Sequence, residues 1–282
     1  MSSKRAGVFV LAVLGGMGLG LVIPKVNHWR GLANGQETLA KLKNLGLAMH
    51  KCNDTQRLLP PAYDAFRDIT YPVSVHVHLL PYIGRQDLYK TFLQKGNGLT
   101  NASVPEFVSS SDATLGAGYG VQNYAANLRV FSGAGNFTGI DCSVPLAPVM
   151  SSMAGIPRSF TNTSSTVAFA TKYAECNQPF DAAAIVMNGG SRFNADPTSR
   201  FAAFFGESPA EAAAHPSNPT ATFQLQPSQL ECRVWPLMGQ SFGLQGIHVA
   251  MADASVRTVA PKVAVKVWNE SLQPFLPTPQ DW

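Results

Sequence analysis

At 282 residues and 45% hydrophobic content, the chain has material for one large domain or two small ones, which excludes an intrinsically disordered protein. Its formal net charge of +4 is scattered, with no Lys/Arg block able to follow a phosphate backbone, so nucleic acid is excluded as a partner. With 13% charged residues, 24 glycines and 20 prolines, the composition favours short strands joined by many turns over a helical bundle.

Lys4 and Arg5 precede an uncharged run from Gly7 to Ile23, which ends at Pro24 and Lys25. The run sits at the short limit of the roughly 17 to 25 apolar residues that span a bilayer as a helix. Gly16 and Gly20 stand four apart and form a small-xxx-small face on which another helix can pack closely. A cleaved secretory peptide and a retained anchor are the two readings. The anchor is favoured, because an A-x-A-like cleavage site is poor and helical character resumes soon after Pro24. Residues 1–25 are therefore expected to hold the chain in the membrane, with the remainder exported.

From Glu37 onward, Leu39, Leu42, Leu45 and Met49 recur at intervals of three and four with Lys41, Lys43 and Lys51 between them. That spacing predicts an amphipathic helix with one packed face and one wet face. Asn34 or Gly35 can cap it, and Glu37 suits the positive end of its dipole. Asn53, Asp54 and the Pro60–Pro61 pair predict a stop near Cys52. The expected organisation is an anchor over 1–25, an amphipathic helix within 26–58, and a β-rich domain over 59–282.

Further along, the alternation around His76 and His78 reads as a strand, with both imidazoles on its solvated face opposite Val75, Val77 and Leu79. Two His on one strand face suit a metal, but no third ligand is nearby, so no metal site is expected. Cys52, Cys142, Cys176 and Cys232 include no C-x-x-C pair, and an even number behind an export-like segment reads as two disulfides with three possible pairings. The stretch from Gln178 to Thr220 reads as long loops with a short Ala-rich helix near Pro209 to Ala214. Within it, the aromatic run from Arg200 to Pro216 reads as core.

Gly239 to Gly243 fits G-x-S-x-G around Ser241, with His248 and Asp253 downstream. A nucleophile elbow needs a helix after its Ser and an acid before its His in chain order, and neither requirement is met. Ile247, Val249 and Met251 alternate as a strand, Val256 to Val259 can return beside it, and Val263 to Leu272 predicts a short closing helix that places Trp268 on the sheet.

Several stretches carry a resemblance: LKNLGLAMHKCNDTQRLLPP from Leu42 to Pro61, HLLPYIGRQDLY from His78 to Tyr89, NYAANLRVF from Asn123 to Phe131, SSTVAFATKYAEC from Ser164 to Cys176, FQLQP from Phe223 to Pro227, and GIHVAMADASVRTV from Gly246 to Val259. In these the chain resembles a large bacterial prepilin-like, pseudopilin-related family, labelled prepilin-type processing-associated or solute-binding-like. The resemblance implies an α+β, pilin-like fold: a long N-terminal helix packed on an antiparallel β-sheet domain with long loops, displayed outside the cytoplasmic membrane.

Departures from the family pattern limit what carries over. Cutting after Gly7 would leave Ala12 where relatives have a Glu, which removes the charge that pairs neighbouring pilin subunits. Where relatives have a His, nine intervening residues and then Asp-Gly, this chain has Gly243 and Asp253-Ala254, and Thr171 stands where a Glu is common. A two-residue turn through Ala254 would place it at positive φ, at a cost on the order of 1 kcal/mol. The family places Cys176 and Cys232 as a first disulfide, which leaves Cys52 for Cys142. The expectation is a membrane-anchored, pseudopilin-like envelope protein with a structural or assembly role, self-associating or meeting pseudopilin partners of a type II secretion or type IV pilus-like system. It is expected to be no enzyme and to need no cofactor or metal. The alternative is a tethered ligand- or carbohydrate-binding module.

Overall fold

A computed structural model describes residues 31, 33–95, 104–114, 121–131, 162–174, 204–205, 222–228 and 238–274. The first element, α1, is a helix over residues 33–56. Its buried stripe runs Thr38, Leu42, Leu45, Met49 and Cys52, at alternating intervals of four and three, while Lys43, Asn44, Leu47 and Lys51 stay exposed. The expected stop near Cys52 comes one turn too early. Asn53 and Asp54 lie inside the last turn, and the chain leaves at Arg57, whose φ of 61° is left-handed. The Arg57 amide closes that end by donating to the Asn53 carbonyl at 2.7 Å, and the Arg67 guanidinium donates to the Gln56 carbonyl at 2.6 Å. A cation at the negative end of the dipole is the favourable arrangement.

β1 (Tyr63–Phe66) and β2 (Ile69–Ser74) form a separate antiparallel pair. Pro72 is tolerated because a two-stranded sheet has only edges. The chain then turns directly into a short helix, α2 (Val75–Leu79), a 3-10 turn (Leu80–Ile83) and α3 (Gln86–Lys95). Gly84, at φ 85°, caps the 3-10 turn in the left-handed region that only glycine enters without strain.

The main sheet has the order β5-β3-β4-β8-β9, built from β3 (Tyr124–Asn127), β4 (Val167–Thr171), β5 (Phe204–Phe205), β8 (Ile247–Met251) and β9 (Val256–Val259). Four of these strands run antiparallel. β5 departs from the expected all-antiparallel sheet by pairing parallel to β3, as the long connection between them permits. A single helical turn, α4 (Leu128–Phe131), follows β3, and β6 (Gln224–Leu225) with β7 (Gln240–Ser241) form a small parallel sheet of their own, with β7 against β4 and β8.

Both faces of this sheet are covered. Leu42, Leu45, Met49 and Cys52 of α1 share one cluster with Tyr124, Ala126, Ala168, Phe169, Ala250 and Ala252. On the other face Val167, Ala170, Ile247, Val249 and Met251 meet Trp268 and Leu272 from the closing helix α5 (Val265–Ser271). The Trp268 ring also meets Phe223 edge-on at 5.3 Å. An irregularity between Val167 and Phe169 turns Ala168 and Phe169 to the same side. Burial on two faces is why β4 reads VAFAT, apolar almost throughout, rather than alternating.

The β8–β9 hairpin closes differently from the two-residue turn expected. The Ala254 amide donates to the Met251 carbonyl at 2.9 Å and the Met251 amide to the Ser255 carbonyl at 2.8 Å, with Ala254 at φ 64°. This is a three-residue loop whose last member takes the left-handed conformation, so the position that wants glycine is the one anticipated although the loop is one residue longer. Relief of roughly 1 to 2 kcal/mol of left-handed strain in Ala254→Gly opposes the loss of one buried methyl, about 0.8 kcal/mol, and added freedom of the unfolded chain, about 0.5 kcal/mol. The thermal midpoint of A254G should equal or exceed that of the parent in a calorimetric scan. A drop of several degrees would show that the loop is not left-handed at that residue.

Candidate functional site

The two histidines sit differently from the strand reading. They lie on α2, where residues two apart point to nearly opposite sides, and both are buried rather than solvated. His76 Nε2 is 2.7 Å from the Tyr124 carbonyl, and its ring lies between Phe107 and Phe169, with centroids at 5.4 and 6.1 Å. His78 Nε2 is 3.0 Å from the Asp64 carbonyl, with its ring edge-on to Phe66. A carbonyl partner fixes the proton on Nε2 in each ring, and neither Nδ1 has a hydrogen-bond partner. Burial pushes both imidazoles down to about 4. Helical exit from β2 turned an alternating V-H-V-H run into core, and no group of three metal-ligating side chains occurs among the described residues.

Ser241, His248 and Asp253 do not converge either. Ser241 Oγ lies 2.5 Å from both the Gly243 and Gly246 carbonyls and is buried, so the hydroxyl is tied into its own loop. His248 Nδ1 faces Thr258 Oγ1 at 2.8 Å, and Asp253 accepts the Ser255 amide at 2.8 Å at the hairpin tip. β7 is followed by a loop and then β8, with no helix after the serine, so an elbow is not formed. Thr171 is fully buried with its hydroxyl unbonded. Cys52 is a buried free thiol, pushed up to about 11 by that burial. Cys142, Cys176 and Cys232 lie outside the described residues, as do Gly16, Gly20, the run from Gly7 to Ile23 and the Ala-rich segment at Pro209 to Ala214.

What the fold does bring together is a buried polar hub that spacing along the chain does not announce. The Asn123 amide group donates to Asp112 Oδ2 at 2.6 Å and to the Lys172 carbonyl at 3.0 Å, while its Oδ1 accepts the Ser109 amide at 2.8 Å. Asp112 also accepts the Ala174 amide at 2.8 Å and two bonds from Thr114. Ser109 Oγ meets Thr38 Oγ1 of α1 at 2.7 Å, and Lys41 Nζ donates to the Val108 carbonyl at 2.7 Å. Asn123→Leu would strand the Ser109 amide and the Lys172 carbonyl in a dry interior, and should cost on the order of 3 kcal/mol in urea unfolding. A loss below about 1 kcal/mol would show that water replaces the amide.

That hub holds the 3-10 turn Pro105–Phe107 in place beside α1. Between them, with Tyr82, Ile83 and Gly84 opposite, runs an open groove of about 610 Å³. Lys41, Asn44, Leu47 and Lys51 line it from one stripe of α1, Leu45 and Phe107 are among its buried lining, and Glu106 at its far wall is held by Arg85 at 3.4 Å. Lys41 is engaged by Glu37 at 2.6 Å. Among the described residues Lys51 and Asn44 have no such partner for their side-chain polar atoms, and Leu47 is 42% exposed on an otherwise polar face. The spacing of the sequence placed Lys41 and Lys51 on the wet face of the helix and said nothing of Asn44 or Leu47. The groove itself needed the loop at 105–107, which the hub positions.

Among the described residues no helix is long and apolar enough to cross a membrane. Comparisons with protein-family models, with curated proteins and with solved structures return no match, so the features above stand on this chain's own residues.

Proposed function

We propose that the chain is a membrane-anchored, pilin- or pseudopilin-like envelope protein with a structural or assembly role, associated with a type II secretion or type IV pilus-like system, its domain held outside the cytoplasm. The observation that carries this reading is α1. Its stripe from Leu42 to Cys52 is packed on the sheet while the front of the helix, Ala33, Gln36 and Glu37, is exposed, and the sequence ahead of it contains the uncharged run from Gly7 to Ile23. A helix fixed at its rear and open at its front is what a tethered domain requires. The prepilin-like resemblance adds support of a different kind, since it rests on residues spread over most of the chain.

The full chain expressed in bacteria should remain in the membrane pellet through alkaline carbonate extraction, and should move to the soluble fraction once residues 7–23 are deleted. Extraction of the intact chain by carbonate would overturn the anchor. Oxidative crosslinking of Gly16→Cys or Gly20→Cys variants in membranes should yield dimers if assembly proceeds through that face.

A further inference from the structure

We propose that the groove between α1 and the turns at 82–84 and 105–107 is a binding site for a small organic anion with an apolar body. Its volume, about 610 Å³, lies within the roughly 300 to 1,000 Å³ of small-molecule sites. Its long wall is a single helical stripe, Lys41, Asn44, Leu47 and Lys51, which spans about 15 Å of α1. Chemistry is graded along that wall. At one end Lys41 is neutralised by Glu37 and spent on the Val108 carbonyl. At the other, no hydrogen bond or ion pair among the described residues engages the Lys51 ammonium or the Asn44 amide, so the uncommitted polar side chains of the described lining are one positive charge and one amide.

Between those polar groups the lining is apolar: Leu47, exposed among lysines, with Leu45, Ile83, Pro105 and Phe107. The one acid among the described lining residues, Glu106, is held by Arg85 and does not cancel Lys51. A neutral sugar would find few free hydrogen-bonding groups, and a cation would meet Lys51 with no acid to offset it. A carboxylate on an aryl or alkyl frame satisfies both features, its charge on Lys51 and its body over Leu47, Ile83 and Pro105. Binding here does not depend on whether residues 7–23 enter a membrane.

The test uses 6-fluoro-2-naphthoate as probe, followed by its fluorine line width against the full-length protein in detergent, with the uncharged 6-fluoro-2-naphthamide as companion. Saturable broadening is expected for the acid, at least about 10-fold weaker for the amide, and weakened by a similar factor in Lys51→Glu and in Leu47→Gln. Lys262→Glu, an equal charge change at an exposed residue outside the groove, should leave the midpoint unchanged and corrects for partition into detergent. Circular dichroism of each variant establishes that it is folded. Broadening that does not saturate, an amide that binds as well as the acid, or equal loss in K262E would each overturn the site.

Discussion

Between about pH 6.5 and about pH 4 the folded domain should lose several kcal/mol of stability, a loss that begins above the range in which its carboxylates titrate. In the folded chain His76 and His78 are neutral down to about 4, whereas in the unfolded chain each takes up a proton near 6.5. Because the folded values are depressed, the stability is fully present above 6.5 and is lost as pH falls through that window. At 1.36 kcal/mol per unit, each imidazole contributes about 3 kcal/mol to the loss. The bare Nδ1 atoms explain the size of the effect: a second proton would create an N–H among Phe107, Phe169 and Phe66 with nothing to accept it. Urea unfolding followed by far-ultraviolet circular dichroism at a series of pH values measures this directly. The double variant His76→Gln, His78→Gln should flatten the profile in that window whatever its absolute stability, and an unchanged slope would refute the assignment. Lys172 extends the trend to the alkaline side. Burial lowers its ammonium to about 7, so its contribution is complete only above about 10.5 and is lost as pH falls toward 7.

Gly46→Ala should destabilise the domain by roughly 1 to 3 kcal/mol, although alanine in a helix is ordinarily worth about 1 kcal/mol over glycine. A methyl at residue 46 would lie 2.8 Å from the Ala254 Cα and 2.9 Å from its Cβ, so the tip of the β8–β9 hairpin would have to back away from α1. The obstacle is main chain, which cannot swing aside as a side chain can. Withdrawal would also stretch the bond between His50 Nε2 and the Ala252 carbonyl, now 2.8 Å. Hydrogen exchange should therefore quicken at residues 252–255 in G46A more than in β3 or β4. Gly46→Ala combined with Ala254→Gly should recover only part of the loss, because the closer of the two clashes is with Cα. A stabilised G46A would mean that the hairpin does not rest on the helix.

How far the sequence discloses this structure depends on the range over which each signal acts. The stripe Leu42, Leu45, Met49 announces a packed helix because its period is local, and the strand Ile247–Met251 and Trp268 on the closing helix are legible for the same reason. Ala254 is legible through its neighbour, since Asp followed by a small residue marks a hairpin even when the loop length is misjudged. At His76 and His78 the local signal misleads. Four residues alternating Val and His fit a strand or one helical turn, and the sheet and helices packed around them settle the matter. The Asn123–Asp112–Ser109 hub is invisible at sequence level, because it joins loops whose approach is set by the whole core. The groove inherits that invisibility: its lysines are readable, its opposite wall is not.

Helix and hairpin meet through a glycine on one side and a left-handed alanine on the other, with the His50–Ala252 bond alongside. A pull applied at residue 33 along the axis of α1 therefore reaches the sheet as shear across that seat, since the helix cannot slide without dragging Ala254 over Gly46. Force enters at the tip that joins β8, which is paired on both sides, to the edge strand β9. Tension at the front of α1 therefore loads the β8–β9 hairpin before the rest of the sheet.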